Sequence, residues 1–166
     1  MEQAEQRARL LNYAYFYLKF RPRSKEELSR YLAKKLSRLG GPETLVDTVV
    51  SQLEQEGLVD DRSFIDWLVR SRSVCHPKGS FAIKGELRRF GVAQELVDAY
   101  FSRHPVNEQA GADRLLRARW CRLAGLPEPK RWQRAVALLV RRGFDFSVAR
   151  QAYKNAVAFA KSQEKG

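Results

Sequence analysis

Cys75 and His76 are the nearest this chain comes to a nucleophile beside its base. Adjacent residues on a helix point in different directions, so the imidazole does not reach the thiol to activate it. A buried or incidental cysteine is the simpler reading. Asp60-Asp61 offers two hard oxygen ligands, but no further carboxylate or histidine stands at ligand spacing, and Asp61 serves as a helix cap. Gly57, Gly79, Gly91 and Gly143 read as helix punctuation; no glycine-rich loop ending in Gly-Lys-Ser or Gly-Lys-Thr is present. Cys121 is far from Cys75, with no spacing that suggests a disulfide framework or zinc knuckle. His104, beside Pro105, reads as a surface turn residue. No catalytic constellation emerges, and the chain is expected to be no enzyme and to need neither cofactor nor metal.

The side chains left with work to do are cationic. Arg70 and Arg72 flank one helix end, Lys78 precedes the next, and Lys84, Arg88 and Arg89 ride on it. Arg114, Arg117, Arg119 and Arg122 lie on a seventh predicted helix, and Lys130, Arg131, Arg134, Arg141 and Arg142 on an eighth. A guanidinium fork suits phosphate and carboxylate alike, so these residues are candidates for DNA phosphates or an acidic protein surface. For any one of them a solvated face with ion pairs competes equally well. Trp67, Trp120 and Trp132 could stack on exposed bases, but they sit on apolar stripes, which favours core packing.

The elements that position these groups are helices. Leu11, Ala14, Tyr15 and Leu18 form a buried stripe at i, i+3, i+4, i+7 spacing. Ser24-Lys25-Glu26-Glu27 is a capping box opening a second helix with Leu28, Leu32 and Leu36 on one face, and Gly40-Gly41-Pro42 ends it. Val46, Val49, Val50 and Leu53 form a third stripe, stopped at Gly57. The order then repeats: Phe64, Trp67 and Leu68; Ile83, Leu87 and Phe90, stopped at Gly91; Leu96, Val97 and Tyr100. It repeats again with Ala112, Leu116, Trp120 and Leu123; Trp132, Ala135, Val136 and Leu139, stopped at Gly143; and Ala149, Ala152, Tyr153 and Ala156. A shift of about 52 residues lays Leu87-Gly91 on Leu139-Gly143. The spacing predicts an all-α chain of three tandem three-helix repeats, at 1–60, 61–106 and 107–166, forming an elongated, curved array of either hand.

Composition agrees with a binding protein. Apolar residues make up 44% of the chain, enough for a core, and charged residues 30%. The formal charge of +12 favours a polyanion as partner, because each cation placed at a phosphate releases counterions. That charge is concentrated: residues 107–166 carry thirteen bases against five acids, while residues 1–60 carry ten against nine. No apolar run is long enough to span a bilayer, and the first residues lack the order of a signal peptide, so a monomer in a reducing cytoplasm is expected.

Leu58-Val59-Asp60-Asp61-Arg62-Ser63-Phe64, then Arg70-Ser71-Arg72, Gly79, Ile83, Glu86-Leu87 and Gly91-Val92 resemble the RecX family of bacterial regulatory proteins. The order of the outer units, the length and the basic balance agree, although Phe90 stands where a basic residue is expected. The resemblance implies a three-repeat helical protein that lies along the RecA filament on single-stranded DNA. It implies negative modulation of that filament: of its extension, ATPase, strand exchange and the coprotease activity of the SOS response. The alternative is a general basic nucleic-acid-binding module that acts by competing for DNA.

Overall fold

A computed structural model describes residues 3–163; Met1-Glu2 and Glu164-Lys165-Gly166, which fall within the two outer predicted repeats, lie outside the described residues. All regular structure among the described residues is helical: α1 (Gln3–Leu18), α2 (Lys25–Leu39), α3 (Thr44–Gln55), α4 (Asp61–Val74), α5 (Ser80–Arg89), α6 (Gln94–Arg103), α7 (Glu108–Arg119), a 3-10 turn (Trp120–Arg122), α8 (Glu128–Arg141) and α9 (Phe146–Gln163). The expected all-α fold of three-helix repeats is borne out. Packing divides the chain into two compact units. One takes the residues up to Trp67 together with Leu87–Tyr100; the other takes Leu68–Glu86 together with the residues from Phe101 onward. The division falls inside α4, α5 and α6.

The first unit is built on α1–α3. Leu28, Leu32 and Leu36 of α2 meet Val49, Val50 and Leu53 of α3 and Leu10 and Ala14 of α1. The α1 stripe is displaced by one residue from the expected one. Gln6, Leu10 and Ala14 are buried, while Tyr15 is exposed and donates its hydroxyl hydrogen to Glu56 at 3.1 Å. Apolar spacing did not find Gln6, because its amide belongs inside only as a donor to the carbonyl of Gly40.

The predicted capping box is half formed. Ser24 Oγ accepts from the Glu27 N–H at 3.1 Å. The Glu27 carboxylate turns away and accepts instead from Tyr17 (3.1 Å), Arg23 (2.7 Å) and Arg21. A partly buried carboxylate gains more from two guanidinium groups than from one exposed N–H. Capping of α4 is also corrected: Asp60 holds the helix start, accepting from the N–H of Arg62 (3.1 Å) and Ser63 (3.0 Å). Asp61 reaches across to the Lys25 N–H of α2 at 2.8 Å.

In the second unit α7, α8 and α9 share a core in which Ala112, Leu116, Ala135, Leu139, Ala152 and Ala156 meet. The alanines let α9 lie close to its neighbours, and Trp120 and Trp132, partly buried, close the core around Tyr153. The internal repeat appears as a shared helix ending. At Gly91 (φ 74°) and Gly143 (φ 82°) the following residue donates back to the leucine four positions before the glycine, Val92 to Leu87 at 3.1 Å and Phe144 to Leu139 at 3.2 Å. Gly79 lies in the break between α4 and α5, as expected, and does more than punctuate. Its N–H donates to the carbonyl of Arg142 at 2.9 Å, and a Cβ there would stand 2.0 Å from the carbonyl oxygen of Gly143. It is a point of backbone contact between α5 and the end of α8.

Candidate nucleic-acid interface

The amphipathic design of α8 generates the site. Pro127 and Pro129 start the helix, where their missing N–H groups cost nothing. Trp132, Ala135, Val136 and Leu139 then face the core. At 3.6 residues per turn, the opposite stripe holds Lys130, Arg134, Ala137, Leu138 and Arg141. Against this stripe lies the end of α7, where the chain tightens into the 3-10 turn Trp120–Arg122, closed by Leu123 N–H donating to Trp120 O at 2.8 Å. Arg122 therefore sits on this turn and not on the seventh helix itself, which ends at Arg119.

The result is an open groove of about 520 Å³ with arginines on both walls. Arg119 and Arg122 stand on one side and Arg134 and Arg141 on the other, over a floor of Leu123, Ala137 and Leu138, with Gln133 at its edge. Four residues that are scattered over 23 positions of sequence are thus brought together. Lys130 extends the stripe, which at 1.5 Å per residue runs about 16 Å from Lys130 to Arg141. That length suits several consecutive phosphates.

The electrostatics follow from where the acids have gone. Asp113 accepts from Gln109 at 2.8 Å and from Asn155 at 3.1 and 3.2 Å. Asp145 caps α9 through the N–H (2.8 Å) and hydroxyl (2.6 Å) of Ser147, and these bonds hold its carboxyl below the usual range. Glu108 accepts from the Ser80 N–H at the start of α5 at 3.2 Å. These carboxylates are engaged as caps and internal acceptors. Among the described residues none forms an ion pair with Arg119, Arg122, Arg134 or Arg141. Arg141 donates only to the Ala137 carbonyl of its own helix, at 3.2 Å. Like charges held around an apolar floor repel one another, and an entering anion relieves that repulsion while accepting charge-assisted hydrogen bonds.

Other predicted site residues have different places. Arg72 and Lys78 both grip Glu86, Arg72 through Nε and Nη2 at 2.9 Å each. Burial opposes the charge on Glu86, but these bonds outweigh it and hold the carboxyl below its ordinary value. The 52-residue shift places Glu86 on Leu138 and Lys78 on Lys130. The central repeat therefore carries a neutralising carboxylate where the third repeat carries an apolar floor. Arg131 is likewise occupied, donating to Tyr153 Oη at 3.1 Å and to Ala124 O at 3.3 Å beside the Trp120 ring.

Arg114 donates to the Ser73 carbonyl, and Arg117 covers the Phe159 ring at 5.0 Å. Arg142 forms the C-cap of α8. Lys84 lies 5.0 Å from the centre of the Phe101 ring. Arg70, Arg88 and Arg89 are exposed on α4 and α5, and the Arg89 carbonyl accepts from Arg30 at 3.3 Å. Cys75 and Cys121 are both exposed; of the two readings of Cys75, buried or incidental, burial does not hold, because Cys75 falls just past the last residue of α4. Sequence reasoning missed Leu123, Gln133, Ala137 and Leu138; the i, i+4, i+7, i+8, i+11 spacing beginning at Lys130 marks two of them, Ala137 and Leu138.

Comparison with known proteins bears on this same region. The model of the family described as "RecX, third three-helix domain" matches residues 107–153. The Regulatory protein RecX of Halorhodospira halophila is 37% identical over 147 residues, which is 86% of this chain and 85% of that protein. The Regulatory protein RecX of Geobacillus sp. is 30% identical over 132 residues, 79% of this chain; the match spans 47% of that protein, so the chain covers about half the length of that relative. The crystal structure of RecX from Lactobacillus salivarius shares the fold, with a TM-score of 0.75 at 18% identity, over 93% of this chain and 99% of that one.

Proposed function

This chain belongs to the RecX family of regulatory proteins, and from that premise we propose that it restrains the RecA recombinase by binding RecA-coated single-stranded DNA. The observation that carries the reading is the groove of Arg119, Arg122, Arg134 and Arg141, whose charge no acid of the described residues compensates. Such a groove holds a phosphodiester strand, or an acidic edge of RecA, through forked charge-assisted hydrogen bonds. In the proposed arrangement the repeats 1–60, 61–106 and 107–166 act together in the cytoplasm, with the third supplying most of the attraction. Bound along the filament, the protein opposes extension, and with it ATP hydrolysis, strand exchange and the coprotease activity of the SOS response. No part in covalent chemistry is assigned to any side chain. Among the described residues no helix is long and apolar enough to cross a membrane.

RecA ATP hydrolysis on single-stranded DNA, with this protein added well below the RecA concentration, tests the reading. The expected outcome is strong inhibition on DNA already coated with RecA. Inhibition that appears only when the protein is abundant enough to cover the DNA would assign it to simple competition instead. No inhibition at any ratio would overturn the proposal.

A further inference from the structure

The outer face of α1 carries aromatic rings that its core packing leaves out. Tyr13 flanks the buried stripe of Leu10 and Ala14, Phe16 stands three residues on and further round the helix, and Phe20 follows just past the helix end. Phe16 and Phe20 are 62% and 67% exposed and Tyr13 is 36% exposed. The two phenylalanines touch edge to face with ring centres 5.2 Å apart, which fixes them as a pair and leaves ring surface open. Cations lie on or beside the same two helices. The Lys35 ammonium lies 4.8 Å from the centre of the Tyr13 ring; Arg38 continues that face of α2, and Lys19 lies between the phenylalanines in sequence. Among the described residues neither Lys19 nor Arg38 has a carboxylate partner, and Glu5, the acid of the same α1 face, is paired with Arg9 at 2.8 Å.

We infer that this face is a stacking platform for unpaired bases, with Phe16 and Phe20 as the stacking rings and Lys19, Lys35 and Arg38 drawing the phosphates of the same strand. Exposed rings interleaved with uncompensated cations fit single-stranded nucleic acid, whose bases offer π-faces and whose backbone supplies the anions. An apolar protein surface accounts for the rings but not for the cations. The inference rests on the reading of this protein as one that engages single-stranded DNA. It adds the element that discriminates single strands from duplex, which a row of arginines does not do by itself.

Fluorescence anisotropy with labelled oligo-dT and with a duplex of equal length, over a range of salt concentrations, tests it on the F16L/F20L variant. Leucine keeps the apolar bulk and the helix but removes the ring, and F16Y/F20Y restores a ring. Far-UV circular dichroism is expected to be unchanged, since both positions are exposed. F16L/F20L should bind oligo-dT about tenfold more weakly with the same salt slope, bind duplex as before, and be rescued by F16Y/F20Y. Unchanged affinity for oligo-dT, or an equal loss on duplex, would overturn the platform. Normal oligo-dT binding with lost inhibition of RecA would reassign the face to protein docking. Failure of the unaltered protein to bind oligo-dT would instead remove the DNA contact on which the inference depends.

Discussion

Glu86 shows how misleading a count of charges is at the scale of one residue. Its side chain is 8% exposed, and the two cations around it, Arg72 and Lys78, read in the sequence as candidates for an external anion. They already have one. Burial disfavours the ionised carboxyl, the hydrogen bonds from both cations favour it, and the bonds prevail, so its folded pKa lies below the ordinary 4.5. For a carboxylate depressed in this way, the stabilisation is fully present above the unfolded value and is lost as pH falls through the folded one. Glu86→Gln should therefore cost about 1.5–3 kcal/mol at pH 7, the worth of hydrogen bonds to a charged group. The cost should shrink toward zero in acid; urea denaturation at pH 7 and near pH 3 measures both. An equal loss at the two pH values would show that shape, and not charge, is what Glu86 supplies. Asp60 and Asp61 make a related point: one caps its own helix and the other a helix 36 residues earlier, a division that two adjacent aspartates do not announce.

At the scale of the element, the helices form where apolar spacing places them, and the glycines divide by what surrounds them. Gly79 and Gly85 are neighbours on or beside α5 and look alike in sequence. A Cβ on Gly79 would drive into the backbone at Gly143, whereas a Cβ on Gly85 meets nothing within 4 Å. Gly85→Ala should stabilise the protein by about 0.5–1 kcal/mol, the helix preference of alanine over glycine. Gly79→Ala should destabilise it, since the obstacle is main chain and not a flexible side chain. Thermal melts of the two variants should move in opposite directions. Because Gly79 also holds the carbonyl of Arg142, its substitution is expected to disturb the end of α8 and hence Arg141 in the groove.

For the molecule as a whole, a net charge of +12 matters through its distribution. Reversing Arg119, Arg122 and Arg134 to glutamate should weaken binding to single-stranded DNA at low salt and flatten the salt dependence by about 2, since each phosphate contact on a single strand contributes roughly 0.7 to the slope. Titrations at several salt concentrations read this directly, and an unchanged slope would place the DNA contact elsewhere. Much of this protein was legible in its sequence. The period of Leu28, Leu32 and Leu36, the alanine stripe of Ala149, Ala152 and Ala156, and the glycine stops at Gly91 and Gly143 determine helices and their order, because each follows from local geometry along one chain segment. The family was legible for the same reason, in a run of neighbouring residues from Leu58 to Val92. Which cations remain uncompensated was decided only in three dimensions. Arg72 and Lys78 find Glu86, whereas Asp113 and Asp145 are taken up by polar neighbours, and Arg119, Arg122, Arg134 and Arg141, without a carboxylate among the described residues, face one groove. Charge neutralisation depends on distance in space, which residue order along the chain does not fix.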